Sequence, residues 1–116
     1  MIRLTLPWPP SVNRIWRQYQ GRVLMSREGR TYRQAVLDEW LQAQQQGLGR
    51  QRIRLVIDAH VPDARRRDLD NLTKCALDAM QAARVFEDDS QIDDLRIRRA
   101  GIDRARPRLE VELEAA

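Results

Sequence analysis

The chain has 116 residues, 42% of them apolar and 33% charged, with a formal net charge of +4. That fits one soluble globular domain over residues 1–116, long enough for a single modest core. No apolar run approaches the length of a membrane span, and the single cysteine, Cys75, excludes an intrachain disulfide.

One histidine and one cysteine also exclude a Cys/His zinc site. The first residues, Met1-Ile2-Arg3-Leu4, lack the apolar stretch of a secretory signal, which predicts a cytoplasmic location. A sequence pI of about 10.2 favours a polyanionic partner only weakly, because the arginines are spread along the chain.

Ile2 to Leu6 alternates apolar and polar residues and predicts a short strand. The Pro7-Trp8-Pro9-Pro10-Ser11 stretch stops it, since proline cannot donate to a ladder. A polar loop, Ser11-Val12-Asn13-Arg14, follows. Arg14 to Tyr19 and Arg22 to Met25 flank Gln20-Gly21, a pairing expected of a hairpin turn.

Ser26 is a candidate N-cap for a helix running to about Gln46 and ended by Gly47-Leu48-Gly49. Tyr32, Val36, Trp40 and Ala43 give it an apolar stripe, widened by Leu37 and Leu41. Ile53, Leu55, Ile57 and Ala59 then alternate with Arg52, Arg54, Val56 and Asp58. This predicts a central strand that Pro62 closes, near His60 and Val61.

Asp63 to Arg67 form a basic loop before a second helix over Asn71 to Ala83. Leu69, Leu72, Ala76, Ala79, Met80 and Ala83 are its apolar face, with Cys75 beside it in the core. Arg84 to Ser90 form an acidic connection anchored by Val85 and Phe86. Leu95 to Arg98 and Leu109 to Glu114 predict two further strands, joined through Gly101 to Pro107 as an antiparallel hairpin. The expected class is α+β, with two main helices on a small mixed sheet.

The chemistry concentrates in Arg65-Arg66-Arg67-Asp68-Leu69-Asp70-Asn71-Leu72-Thr73-Lys74, answered by Glu87-Asp88-Asp89 after the helix. Residues two apart on a helix point about 200° apart, so Asp68 and Asp70 converge only if Asp68 precedes the helix proper. Asp70 and Lys74, four apart, stack on one exposed side. An acid after the helix joins them if the connection carries it back. Oxygen ligands with open positions suit Mg²⁺, with Mn²⁺ a substitute; one ion and two ions both fit the spacing. Lys74 is the only lysine in an arginine-rich chain, and a site needing a compact ammonium would keep it. Each element also has an ordinary role: a helix cap, a surface ion pair, a solvated loop and a solvated turn.

Three stretches resemble the RusA family of Holliday-junction resolvases. These are Leu6-Pro7-Trp8-Pro9-Pro10-Ser11-Val12-Asn13-Arg14, Pro62 through Lys74, and Phe86-Glu87-Asp88-Asp89-Ser90-Gln91-Ile92. The resemblance covers nearly the whole chain. It implies a homodimeric, Mg²⁺-dependent endodeoxyribonuclease that nicks two opposed strands of a four-way DNA junction in recombination and repair, close to the nucleoid. It puts the catalytic carboxylates on Asp68, Asp70 and Asp89, which would also hold the metal, and the catalytic lysine on Lys74. It is the resemblance that selects Asp89 over Asp88. Arg65, Arg66 and Arg67, with Asn13 and Arg14, are then the expected DNA contacts. Two other readings use the same surface: a branched-DNA binding module without catalysis, and a Mg²⁺ nuclease for other branched DNA.

Overall fold

Ile53–Val61 (β4 in chain order) shows how the fold is built. Ile53, Leu55, Ile57, Ala59 and Val61 are buried, while Arg54, Val56, Asp58 and His60 face the other way. The alternation read from the sequence is that of a strand with one face on the core. The computed structural model describes residues 1–116, with the side chains of Val12 and Asn13 left aside.

The other elements are β1 (Ile2–Pro7), α1 (Val12–Ile15), β2 (Trp16–Tyr19), β3 (Arg22–Met25), α2 (Arg27–Ala43), α3 (Leu69–Ala82), β5 (Ile92–Ile102) and β6 (Arg108–Ala115). The main sheet has the order β1-β6-β4-β5, and β2 pairs with β3 apart from it. β6 runs antiparallel to both β1 and β4, and β5 runs parallel to β4. Hence β1, β4 and β5 all point one way. α2 packs on β1 and α3, and α3 reaches β5. The class is α+β, as expected.

Several sequence expectations need correction. β5 and β6 are not a hairpin. β6 buries Leu109, Val111 and Leu113 and bonds to strands on both sides, which an edge strand cannot do. The intervening turn crosses the end of β4, where the Asp103 N–H donates to the Val61 carbonyl at 2.8 Å. β5 is also longer than Leu95–Arg98, because parallel pairing with β4 supports it throughout. The loop expected at Ser11–Arg14 contains the single turn α1.

α2 starts after Ser26, whose Oγ accepts from the Gly29 N–H at 3.1 Å. It stops three residues early, at Gln44 in the left-handed region (φ 51). Gly47 therefore has a different role. A Cβ there would lie 2.8 Å from the Arg84 carbonyl oxygen, and next to it the Leu48 N–H bonds to the Val85 carbonyl. Gly47 lets two loops touch through their backbones. Leu41 is exposed, because it is one residue, about 100°, past the buried Trp40.

Candidate active site

β1 and β4 are parallel in direction, so the loops leaving their C-terminal ends emerge together. One is the Pro7–Ser11 stretch and the other the Asp63–Arg67 stretch, which leads into α3. The end of a parallel strand entering a helix is where α/β units hold ligands. Here the two loops enclose a groove of about 520 Å³. Trp8, Arg14, Arg65, Arg66, Asp68 and Asn71 are among the residues that line it.

The Asp63 carboxylate folds the basic loop. It accepts from the Arg65 backbone N–H at 2.9 Å and from Arg67 Nη1 at 2.7 Å. The Arg67 bond first, then the Arg65 N–H, hold its carboxyl down at about 2. Arg67 also lies over the Trp8 ring, 5.6 Å from its centroid. Arg67 thus links the loops to each other, and its carbonyl accepts from Arg99 of β5. Arg65 and Arg66 are exposed where they line the groove, as is Arg14. Asn13 lies outside the described side chains.

α3 starts two residues earlier than expected, and Asp68 is its N-cap. Asp68 Oδ1 accepts from the Asp70 N–H at 3.1 Å. Asp70 sits in the first turn, where the helix dipole favours a negative charge. Asp68 therefore precedes the helix proper, the condition for the two carboxylates to converge. Lys74 is one turn further on. Among the described residues, Asp68, Asp70 and Lys74 have no ion-pair partner within 4.0 Å, so the surface-pair role open to Asp70 and Lys74 is not taken up. Asp78, four residues past Lys74, is engaged instead by Arg33 through two bonds of 2.8 and 2.9 Å.

Asp89 is elsewhere. It precedes β5, which runs parallel to β4, so it lies at the start of the sheet while Asp68 and Asp70 lie past its end. The 14 residues of α3 span about 21 Å between those ends. The connection does not carry Asp89 back. Its N–H bonds to Gln81 Oε1 at 3.0 Å, beside the last turn of α3. Among the described residues no three His, Cys, Asp or Glu side chains are grouped to hold a metal ion.

Asp88 and Asp89 divide their duties. Asp88 caps a 3-10 turn at Asp89–Gln91 and accepts from the Ser90 N–H at 3.0 Å. That bond keeps its carboxyl below the usual range. Asp89 is raised, chiefly by sharing a hydrogen bond with Asp88.

Two contributors escape the sequence reading. Gln91 is buried; its Oε1 accepts from the Glu87 and Asp88 N–H groups, and its Nε2 donates to the Gly49 and Gln51 carbonyls. The Asp88-x-x-Gln91 spacing of a capping box was the signal for it. Glu28, in the first turn of α2, lines the arginine groove. Its spacing gave no sign of this.

Two short loops and a helix start, each set by an α+β sheet, define an arginine-lined groove that Asp68 borders, with Asp70 and Lys74 further along the same helix. The family model described as Endodeoxyribonuclease RusA matches residues 7–114, and the chain belongs to the RusA family. It is 45% identical over 95 residues to the crossover junction endodeoxyribonuclease RusA of Escherichia coli (strain K12), covering 81% of this chain and 78% of that protein. The crossover junction endodeoxyribonucleases of Enterobacteria phages 82 and HK97 are 42% and 40% identical, each over 95 residues. These alignments cover 81% and 82% of this chain, and 78% and 79% of the phage proteins.

Proposed function

We propose that the chain is a one-domain, cytoplasmic, metal-dependent endodeoxyribonuclease that resolves four-way DNA junctions by paired nicks, in recombination and repair. The observation that carries this reading is the set of Asp68, Asp70 and Lys74. Among the described residues they have no ion-pair partners, and they follow one another over the first two turns of α3, where Asp68 lines the arginine groove and Lys74 a small cavity beside Trp16. A structural helix cap needs one such carboxylate; a second acid and an ammonium on the same helix start, next to a basic groove that Asp68 lines, suit a phosphodiester.

Mg²⁺ fits the donor set, with Mn²⁺ able to replace it. Asp68 keeps one oxygen free of its capping bond and Asp70 keeps two, and carboxylate oxygens are the ligands these ions take. Such an ion, when bound, supplies a more acidic water and neutralises phosphate charge. Lys74 places a positive charge where negative charge grows on the reacting phosphate. Arg65, Arg66 and Arg14 hold neighbouring phosphates without reading bases, and Asn13 belongs to the same DNA-facing stretch.

Asp89 cannot join Asp68 and Asp70 across its own α3, so it serves the site of a second copy. In a two-fold dimer each Asp89 can face the partner's helix start. That gives two sites, matched to two opposed nicks.

Cleavage of a synthetic four-way junction with and without Mg²⁺, beside linear duplex and flap DNA, tests the reading. Metal-dependent paired nicks in the junction alone support it. Equal cutting of all three DNAs overturns the junction substrate, and salt-sensitive binding without product leaves only a binding module.

A further inference from the structure

We propose that the β2–β3 hairpin seats on the branch point of junction DNA, with Tyr19 stacked on an exposed base and Arg17 and Arg22 on flanking phosphates. This rests on the junction reading given above. The register pairs Trp16 with Met25, Arg17 with Leu24, Gln18 with Val23 and Tyr19 with Arg22. Cross-strand partners share a face, so Arg17, Tyr19, Arg22 and Leu24 all lie on one side of the ribbon.

The ribbon exposes much apolar surface. Trp16, Tyr19, Val23 and Leu24 are 45%, 53%, 64% and 41% exposed, and they are half of the large exposed hydrophobic residues among the described ones. A lone two-stranded ribbon is marginally stable in water and calls for a partner. Its base is nevertheless fixed. The Ser26 N–H bonds to the Ile15 carbonyl, and the turn at Gln20 and Gly21 has φ of 49° and 74°, as a tight two-residue hairpin requires.

The charge selects the partner. From Trp16 to Arg27 there are three arginines and no acidic residue. Among the described residues Arg17 and Arg22 make no ion pair. A second hairpin on the same face would oppose arginine to arginine, whereas a polyanion with open base faces satisfies both the guanidinium groups and the ring. The position agrees. Trp16, the first residue of the ribbon, lines a small cavity with Lys74, and Arg14 just before it lines the groove. A four-way junction differs from duplex DNA at its branch point, where stacking is interrupted.

The test uses the full chain, a four-way junction carrying 2-aminopurine at the branch, and a duplex of equal length. Tyr19→Ala is expected to lose at least tenfold of the junction-over-duplex preference and most of the 2-aminopurine fluorescence change; Tyr19→Phe keeps both. Arg17→Gln with Arg22→Gln is expected to weaken both DNAs and reduce the salt slope by about 2. These side chains are exposed, so the thermal melts should match wild type. A Tyr19→Ala protein that keeps its preference and fluorescence change overturns the proposal. So does a variant that loses dimer in sedimentation, since the hairpin would then join two copies. A wild-type protein that shows no junction preference overturns the resolvase reading itself, and this proposal with it.

Discussion

The Arg67 guanidinium lies 5.6 Å from the centroid of the Trp8 ring while also bonding to the Asp63 carboxylate. One side chain therefore ties the proline-rich loop to the arginine loop, and the groove between them depends on it. A cation–π contact of this kind contributes about 0.5–1 kcal/mol. Trp8→Ala should lower stability by about that amount, measured by urea unfolding, and weaken junction binding in a gel-shift titration. Trp8→Phe should recover part of both. Unchanged binding in Trp8→Ala would mean that the groove does not need this tie.

The placement of Asp89 at the far end of α3 gives a sharper test. Asp70→Asn and Asp89→Asn should each abolish junction cutting and leave binding largely intact. In a heterodimer of the two, one site keeps Asp70 from one copy and Asp89 from the other. Mixing and re-equilibrating the dead variants should then restore single-strand nicking, scored on a denaturing gel. A mixture that stays inactive would show that both residues must come from one chain.

Arg33 occupies both oxygens of Asp78, which is four residues past Lys74 and lines the same cavity. Residues so spaced share a helix side. Arg33→Ala releases a carboxylate beside the Lys74 ammonium. Cleavage should fall several-fold, while stability drops by no more than about 1 kcal/mol, as for a half-exposed pair. Adding Asp78→Asn should return activity towards wild type. If the double variant stays slow, Arg33 acts on the DNA rather than through Asp78.

The Asp63 carboxyl is held at about 2 by Arg67 and the Arg65 N–H, below the 3.8 of a free aspartate. A carboxyl lowered on folding stabilises the folded state above its unfolded value. That contribution is lost as pH falls from about 4 towards 2. The melting-temperature gap between wild type and Asp63→Asn should be constant from neutral pH to about 4 and close below it. A gap that is already gone at pH 5 would contradict the loop geometry.

Features set by local spacing were legible in the sequence. The alternation of β4, the Ser26 cap, the apolar face of α3 and the Gln20-Gly21 turn each follow from a few neighbouring residues. The helix argument that Asp68 must precede α3 also holds, because cap geometry is local. What escaped was set by pairing across the chain. Nothing near Leu109 says that β6 inserts between β1 and β4. Without the parallel pairing of β4 with β5, Asp89 cannot be assigned to the opposite end of the sheet. Gly47 looked like a helix stop because its true neighbour, Arg84, is distant in sequence.

The strand order β1-β6-β4-β5 places β6, far along the sequence from β1, inside the sheet. β1 has no strand neighbour other than β6, so every nascent chain short of Leu109 carries an unpaired first strand. Folding cannot proceed outward from the N-terminus; it must close a loop of nearly the whole chain, a topology that slows the search. A growing polypeptide of this design cannot assemble its β1–β6 pairing, and with it the seam linking β1 to β4, before residues 108–115 emerge.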